Sequence, residues 1–395
     1  MESTRTIDHS PNILSAFPSG HLTLFYFCRS KIRTDRMKPL NFYAGPAILP
    51  EPVLQKAKEA IENFEGTGLS ILEVSHRSKE VVAFIEEAEQ LVKDLLGLPE
   101  GYHVLFLTGG ASSQFYMTPM NLLDQNATAG YVNTGAWSTK AIKEARLFGN
   151  IKELASSKDS GFQHIPKGYD IPDDLSYLHL TSNNTIFGTQ YFSWPETNVP
   201  IVCDMSSDIF SQPVSTPIDR FGIIYAGAQK NMGPAGTTLV IVREDMLGKV
   251  NRQIPSMLDY RTFFGKQSSF NTPPVYPIFV SMLTMRWIKE LGGLAAMEKR
   301  NREKAQLIYD EIDRNPCFSC PVAKEDRSMM NVIFAANDES YEKNFLEACK
   351  QANIMGIKGH RSVGGFRASI YNAMEVSSVK TLVDVMKNFA EKYAG

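Results

Sequence analysis

Four places in the sequence carry groups that could act on one ligand. Lys230 follows an apolar run and stands in a loop of glycine and proline, where a tethered amine can act as a nucleophile. Asp204 follows a second apolar run, Trp137 lies in a predicted loop after a third, and residues 108–113 are Thr-Gly-Gly-Ala-Ser-Ser. Such small residues let backbone N–H groups approach an anion, and a helix that starts there adds partial positive charge. The four places offer an amine, a carboxylate, an aromatic face and an anion cradle.

The segments that must position these groups alternate between short apolar runs and amphipathic stretches. The predicted strands are 103–107, 130–133, 177–180, 199–203, 222–226 and 238–242. The predicted helices among them are 53–64, 79–96 and 138–148. This alternation predicts an α/β fold with a mostly parallel sheet that is covered on both faces. Ligands of such sheets bind beyond the carboxyl ends of the strands, where Asp204, Lys230 and residues 108–113 fall.

The pattern changes after Pro277. Two long predicted helices are followed by short strands and further helices, which is typical of a smaller α+β domain. The predicted elements of this part are helices 278–291, 294–314 and 341–351, strands 331–334 and 367–371, and a closing helix. We therefore divide the chain into a leader (1–36), an N-terminal segment that packs with the small domain (37–50), a large domain (51–285) and a small domain (286–395).

Pyridoxal 5′-phosphate is a cofactor that would use all four groups. Its phosphate suits a helix N-terminus, and its aldehyde forms a Schiff base with a lysine. Its ring nitrogen stays protonated beside a carboxylate, and its flat ring stacks on an aromatic side chain. The same residues could also be unrelated: a tight turn at 108–113, a helix cap at Asp204 and a surface charge at Lys230. Their spacing alone leaves both interpretations open.

Composition excludes several classes of partner. The 395 residues include 41 basic and 43 acidic side chains, for a net charge of −2. This balance gives no electrostatic footprint for nucleic acid or an anionic membrane. No apolar run reaches the ~18 residues that span a bilayer. The five cysteines are sparse and odd in number, which favours reduced thiols and a cytoplasmic protein, and the isolated Cys317-x-x-Cys320 pair predicts no metal site.

Residues 1–36 differ from the rest of the chain. They are polar and patternless outside one apolar stretch at 22–28. Met37 begins "MKPLNFYAGP", which looks like a natural start. We therefore expect residues 1–36 to be a disordered leader or the product of an upstream start codon.

From Met37 onward the sequence contains a series of long motifs: NFYAGPAILP, EVSHRSKE, GYVNTGAWSTKAIKEA, IIYAGAQKNMGPAGTTLVIVREDMLG, FNTPPVYPIF and KGHRSVGGFRASIYNA. Through these motifs it resembles the phosphoserine aminotransferase family of fold-type I pyridoxal-phosphate enzymes. The resemblance implies a seven-stranded, mostly parallel sheet in a large cofactor-binding domain, a smaller α+β C-terminal domain and a homodimer. It also implies a reversible transfer of the amino group of L-glutamate to 3-phosphohydroxypyruvate, which gives O-phospho-L-serine and 2-oxoglutarate in serine biosynthesis.

The resemblance also implies a role for each cofactor-binding residue. Lys230 is implied to form the Schiff base and carry the proton, and Asp204 to pair with the ring nitrogen; these are the two catalytic residues. The full set implied to bind the cofactor is Ala111, Ser112, Trp137, Thr185, Asp204, Gln229, Lys230, Asn271 and Thr272. The last two are expected to reach the phosphate from the partner subunit.

The substrate carries a carboxylate and a phosphate, and arginine binds both groups bidentately. His76, Arg77, His360 and Arg361 are implied to bind the phosphate, some of them from the partner, and Arg367 the carboxylate. The resemblance leaves open whether the enzyme also aminates the four-carbon phosphohydroxy acid of pyridoxine synthesis.

The sequence departs from the family at three places, one of which is the region from Asp159 to Asp204, shorter here than in many members. Many relatives carry Gly-Gly-Gly-Arg or Gly-Gly-Gly-Cys in the phosphate loop, where this chain has Ala111 and Ser112. A Ser112 hydroxyl can replace a donor but not a cation. Ala44 stands where many relatives have a serine, so a hydroxyl contact to substrate is lost.

Two other functions remain open from the sequence. Another fold-type I aminotransferase of small keto acids would share Lys230 and Asp204 but would not need His360 and Arg361 beside Arg77. A binding protein that keeps the fold without catalysis would be expected to lack Lys230 or Asp204, and both are present. A comparison of acceptor keto acids separates the first from the predicted enzyme.

Overall fold

The computed structural model describes residues 38–266 and 268–394, so the predicted leader lies outside the described residues. The described helices are α1 (Glu51–Glu62), α2 (Lys79–Leu96), α3 (Gly110–Leu122), α4 (Ala136–Ala145), α5 (Val275–Glu290), α6 (Gly293–Arg314), α7 (Glu339–Gln351) and α8 (Val376–Tyr393). The described strands are β1 (Leu40–Asn41), β2 (Tyr102–Leu107), β3 (Thr128–Asn133), β4 (Asn150–Ser156), β5 (Leu178–Thr181), β6 (Ile201–Asp204), β7 (Phe221–Gly227), β8 (Thr238–Arg243), β9 (Phe318–Ser319), β10 (Asn331–Ala336), β11 (Ile354–Met355) and β12 (Phe366–Ser369).

Helix α2 shows how closely local sequence determines an element. Its bounds match the predicted 79–96. At its start the Ser78 hydroxyl accepts a hydrogen bond from the Val81 N–H at 3.3 Å. At its end Gly97 adopts a left-handed conformation with φ of 63°, which carries no Cβ penalty in glycine. Both ends are therefore fixed by residues that can be recognised in the sequence.

Seven strands form the large sheet, in the order β2-β8-β7-β6-β5-β3-β4. Strand β8 runs antiparallel to both neighbours, and the other pairs are parallel. The predicted mostly parallel, seven-stranded sheet is confirmed. Strand β4 at the edge was absent from the predicted strands, because its residues are exposed or only partly buried and lack an apolar run.

Both faces of this sheet are buried. Along β7 the side chains alternate: Ile224 and Ala226 pack in the cluster that contains residues of α1, α2 and α5, whereas Ile223 and Tyr225 pack with residues of α3 and α4. Two helical layers therefore cover the sheet, as expected for an α/β fold.

The carboxyl ends of five parallel strands meet at one edge of the sheet. These ends are Leu107, Asn133, Thr181, Asp204 and Gly227. Thr238 begins the antiparallel β8 at the same edge, since it pairs with Leu107 on one side and with Gly227 on the other. The residues that follow the five strands are therefore brought together.

A separate hydrophobic cluster lies in the C-terminal third. Its β10 pairs antiparallel with β12 and β9, and it packs against α6, α7 and α8. Phe42 joins this cluster, and β1 pairs with β11. The predicted domain boundary at 285 falls inside α5, and all residues from Pro39 onward form one compact unit. The division into domains therefore stays a prediction.

Among residues 38–266 and 268–394, no helix is long and apolar enough to cross a membrane.

Candidate active site

A cavity of about 390 Å³ opens where the strand ends meet. It collects most of the predicted site from positions that span 256 residues of sequence, from 111 to 367. The predicted site residues that line it are Ala111, Ser112, Trp137, Thr185, Asp204, Gln229, Lys230, His360 and Arg367. Ala44 also lies on its wall.

The loop after β7 fixes the position of Lys230. Met232 and Gly233 donate backbone hydrogen bonds to the Ala228 carbonyl at 3.2 and 2.8 Å, which closes a tight turn around the lysine. A Cβ on Gly233 would lie 2.3 Å from the Ser281 hydroxyl, so helix α5 approaches too closely for any other residue. The Lys230 ammonium donates to the Thr185 hydroxyl at 2.8 Å. The amine therefore points to one place in the cavity.

The surroundings of Lys230 make its amine reactive near neutral pH. Burial lowers the pKa of Lys230 to about 8, because the charged form loses hydration. Asp204 and Asp208 oppose this shift by attraction, and Arg367 adds to it by repulsion. A lysine with such a pKa provides a neutral, nucleophilic amine at a pH where an exposed lysine is almost fully protonated.

Asp204 lies at the end of β6 and is 5% exposed. Its Oδ1 accepts hydrogen bonds from the Ser206 N–H at 2.9 Å and from the Ser206 hydroxyl at 2.6 Å. Burial raises the pKa of Asp204, while Ser206 and Lys230 act in the opposite direction. A cationic N–H placed beside Oδ2 would stabilise the carboxylate form. The Asp204 carboxylate can thus pair with one positively charged group.

A second acid, Asp208, lies one turn after Asp204 and was not predicted. The Ser182 hydroxyl donates to its Oδ1, and the Gln190 amide donates to its Oδ2 at 3.2 Å. The same Ser182 hydroxyl lies 3.0 Å from the Asp204 carbonyl oxygen. Burial raises the pKa of Asp208 to about 7. No spacing rule in the sequence indicates Asp208, because its partners Ser182 and Gln190 are brought to it only by the fold.

The anion cradle is the N-terminus of α3. Gly109 caps the helix with φ of 95°, and Ala111 and Ser112 occupy its first turn. The Gly110 N–H donates to the Thr238 hydroxyl at 2.8 Å, which ties the start of α3 to β8. The first-turn N–H groups of a helix lack intrahelical acceptors and carry the positive end of its dipole. The cavity wall therefore offers backbone donors to an anion.

We expect Gly109→Ala to damage this cradle. A Cβ at Gly109 would lie 1.8 Å from the Ser113 hydroxyl oxygen and 2.7 Å from its Cβ, so the helix start must shift. We expect a stability loss of about 1–3 kcal/mol from backbone strain, together with weaker anion binding. Gly110→Ala is the matched control, because Gly110 also has positive φ but meets nothing within 4 Å. Equal loss of anion affinity in both variants, measured by calorimetry, would contradict this account.

Trp137 lies in the first turn of α4, so its predicted placement in a loop is wrong. Helix α4 begins at Ala136, directly after Gly135, because the Ser138 hydroxyl accepts from the Thr134 and Gly135 N–H groups at 3.0 Å each. The indole Nε1 of Trp137 is buried without a hydrogen-bond partner among the described residues. A buried donor that lines a cavity without a partner is available to a ligand.

Two basic side chains, Arg367 and His360, also line the cavity. Arg367, on β12, donates to the Thr185 carbonyl at 3.3 Å, and its buried Nε has no partner among the described residues. Burial lowers the pKa of Arg367, although the guanidinium stays charged. His360 Nδ1 lies 2.7 Å from the Ser362 hydroxyl. This side of the cavity suits an anionic substrate.

The remaining predicted site residues do not line this cavity. Asn271 and Thr272 border a separate cavity of about 160 Å³ that also touches Gly109. The others are His76 and Arg77, in the segment before α2, and the exposed Arg361. Their roles stay predictions, which for several of them involve a partner subunit.

Comparisons with known proteins show what this chain is similar to. Residues 40–382 match the family model described as aminotransferase class-V. The chain is 56% identical to a phosphoserine aminotransferase of Flavobacterium johnsoniae, over 90% of this chain and 100% of that protein. The structure of phosphoserine aminotransferase from Bacillus circulans subsp. alkalophilus is similar with a TM-score of 0.87 and 46% identity, covering 90% of this chain and 99% of that one. A PLP-bound phosphoserine aminotransferase from Trichomonas vaginalis is similar with a TM-score of 0.84 and 36% identity, covering 89% and 100%.

Proposed function

The chain belongs to the phosphoserine aminotransferase family of class-V aminotransferases, and from this premise we propose that it transfers the amino group of L-glutamate to 3-phosphohydroxypyruvate. The products are O-phospho-L-serine and 2-oxoglutarate, in a reversible reaction of serine biosynthesis. One observation in the structure carries the proposal: Lys230, Asp204 and Arg367 line a single cavity. These are an amine, an acid and a carboxylate-binding cation, which are the groups that this chemistry needs.

The residues of the cavity fit pyridoxal phosphate. The first turn of α3 offers N–H donors for a phosphate, and Gln229 lies on the wall beside Lys230. The Lys230 amine and the Asp204 carboxyl suit an aldehyde and a ring nitrogen. Trp137 offers an aromatic face, whose centroid lies 5.7 Å from the Lys230 ammonium. When bound, the cofactor supplies an aldehyde that takes up the amino group and a cationic ring that withdraws electrons from the substrate's α-carbon.

Each side chain of the site has a separate role in transamination. Arg367 binds the substrate carboxylate through its planar guanidinium, and His360 offers a ring N–H to the second anionic group of the substrate. The Thr185 hydroxyl holds the Lys230 amine at 2.8 Å and so directs it. Lys230 Nζ would take the proton from the substrate's α-carbon as a general base and give it back as a general acid. Asp204 keeps a proton on the ring nitrogen by stabilising its positive charge.

The lowered pKa of Lys230 predicts a pH dependence for its reaction with the cofactor aldehyde. Only the neutral amine attacks a carbonyl carbon, so the reactive fraction rises as the pH increases through about 8 and then levels off. We expect the rate of covalent attachment to the cofactor-free protein to rise about tenfold from pH 7 to pH 9. Borohydride trapping at timed intervals, followed by mass spectrometry, measures this rate. A rate that is still rising tenfold per pH unit above pH 9 would indicate an ordinary lysine.

We propose that the active protein is a homodimer. Asn271, Thr272, His76, Arg77 and Arg361 are predicted to bind cofactor phosphate or substrate, yet none of them lines the cavity of its own chain. A second subunit that presents some of these groups would complete the site. Sedimentation of the holoenzyme at assay concentration should give a dimer, and a fully active monomer would contradict this proposal.

We propose a cytoplasmic location for the enzyme. The cysteines among the described residues, Cys203, Cys317, Cys320 and Cys349, are all free thiols, which suits a reducing compartment. Cell fractionation tests this, and recovery in an oxidising compartment would contradict it.

The choice of acceptor tests the proposed function. With glutamate as the donor, we expect 3-phosphohydroxypyruvate to give a kcat/KM at least about 10²-fold above that of pyruvate or glyoxylate. Pyruvate and glyoxylate lack a phosphate, so the charge-assisted hydrogen bonds to that group are not formed. A preference for pyruvate or glyoxylate would instead favour an aminotransferase of small keto acids. The four-carbon phosphohydroxy acid belongs in the same assay, since the sequence leaves its use open.

A further inference from the structure

Lys140 is an exposed lysine beside Trp137, which lines the cavity, and the sequence did not assign Lys140 to the site. It lies in α4, three residues after Trp137, so the two side chains share one face of the helix. The Lys140 ammonium stands 4.5 Å from the centroid of the Trp137 ring. The Lys230 ammonium lies 5.7 Å from the same centroid. The Trp137 ring therefore lies near both the Lys140 ammonium and the ammonium of the reactive Lys230.

Cation–π contact holds an exposed lysine head group with a modest energy and leaves its N–H donors free. No ion pair joins Lys140 to a carboxylate among the described residues. Among the described residues that line the cavity, Asp204, at the strand end, is the only acid. Lys140 is therefore a cation positioned near the opening without a protein anion to neutralise it.

The charges around His360 place Lys140 in the same cluster. Burial lowers the pKa of His360, and the fields of Arg367, Arg361 and Lys140 lower it further. Three cations (Arg367, Arg361 and Lys140) and the protonatable His360 thus lie close enough together to interact electrostatically. Such a cluster without an acid attracts a ligand that carries more than one negative charge.

We propose that Lys140 is a further substrate-binding residue, which contacts the phosphate of the phosphorylated substrates and favours them over singly charged side chains. This inference rests on the proposed function, because the dianion it recognises is the phosphate of O-phosphoserine and 3-phosphohydroxypyruvate. Glutamate offers a monoanionic carboxylate at the same position, so Lys140 stabilises it less. Lys140 thereby biases the shared site towards the phosphorylated partner.

The test compares Lys140→Gln with two controls. In Lys140→Gln we expect KM for 3-phosphohydroxypyruvate to rise about three- to tenfold, with KM for glutamate and kcat each changed less than about twofold. Lys140→Arg should stay within about twofold of the wild type, because it keeps the charge. Lys143→Gln removes the same charge from the exposed last turn of the same helix and should change none of these values.

The salt dependence of KM distinguishes an electrostatic role of Lys140 from a purely structural one. The Debye length falls from about 10 Å at 0.1 M salt to about 3 Å at 1 M, so the KM difference between wild type and Lys140→Gln should shrink as salt is added. Equal KM values for wild type and Lys140→Gln, or equal damage by Lys140→Gln and Lys140→Arg, would overturn the proposal. Wild-type enzyme that fails to use 3-phosphohydroxypyruvate would instead overturn the proposed function, so the two failures are distinguishable.

Discussion

Replacing Lys230 by alanine should lower kcat for transamination by at least about 10³-fold. The variant loses the amine that moves the substrate proton, and general acid–base catalysis alone contributes about 10²–10⁴-fold. It also loses the covalent attachment of the cofactor, so borohydride trapping should leave no cofactor on the protein. Steady-state rates with glutamate and 3-phosphohydroxypyruvate, with added cofactor, measure the effect.

A rescue experiment separates the chemistry of Lys230 from its packing. Small primary amines added to Lys230→Ala should restore part of the rate, because the cavity left by the side chain admits an external base. Thermal unfolding of the variant should remain close to that of the wild type, since Lys230 is a partly buried cation whose removal relieves a desolvation penalty. A rate within tenfold of the wild type, with intact folding, would remove Lys230 from the mechanism.

Replacing Asp204 by asparagine should lower kcat by about 10²–10³-fold. The amide keeps the shape of the side chain, and its oxygen can still accept the hydrogen bonds that Ser206 donates to Oδ1. It removes the negative charge that stabilises a protonated ring nitrogen, and loss of one preorganised electrostatic contact has effects of this size. Single-turnover rates of each half-reaction measure the loss apart from substrate binding.

Asp208→Asn is the matched control for Asp204→Asn. Asp208 is the second acid of the same turn, but it does not line the cavity, and its carboxyl oxygens are held by Ser182 and Gln190. We expect Asp208→Asn to lower kcat less than about tenfold, as an indirect contact should. If the two variants lost equal activity, the charge at Asp204 would have no special role, and the assignment of the ring nitrogen to Asp204 would fall.

Most elements of the fold can be predicted from the sequence, because each is specified by residues that are close together in the chain. Apolar runs with β-branched residues mark β6, β7 and β8, and a serine cap with a terminal glycine marks α2. Strand β4 lacks such a signal, since an edge strand needs no continuous apolar run. Trp137 was predicted in a loop because the apolar spacing of α4 indicates a start two residues too late. The helix begins earlier because the Ser138 hydroxyl accepts a hydrogen bond from the Gly135 N–H.

The site itself was predictable only in part. The order of residues after the strands indicates Lys230 and Asp204, because parallel strands bring their carboxyl ends together. Arg367 reaches the Thr185 carbonyl across 182 residues of sequence, and no spacing rule relates the two. Asp208 and Lys140 were missed because their significance depends on neighbours such as Ser182 and Trp137, which only the folded chain supplies.

Transfer of a labelled amino group tests the central claim most directly. Purified enzyme with pyridoxal phosphate, ¹⁵N-labelled L-glutamate and 3-phosphohydroxypyruvate should form ¹⁵N-labelled O-phospho-L-serine and an equal amount of 2-oxoglutarate, seen by mass spectrometry and ³¹P NMR. The Lys230→Ala variant should form neither product at a comparable rate. Absence of labelled phosphoserine from the wild-type reaction, while pyruvate or glyoxylate supplied as the acceptor gives ¹⁵N-labelled alanine or glycine, would contradict the account.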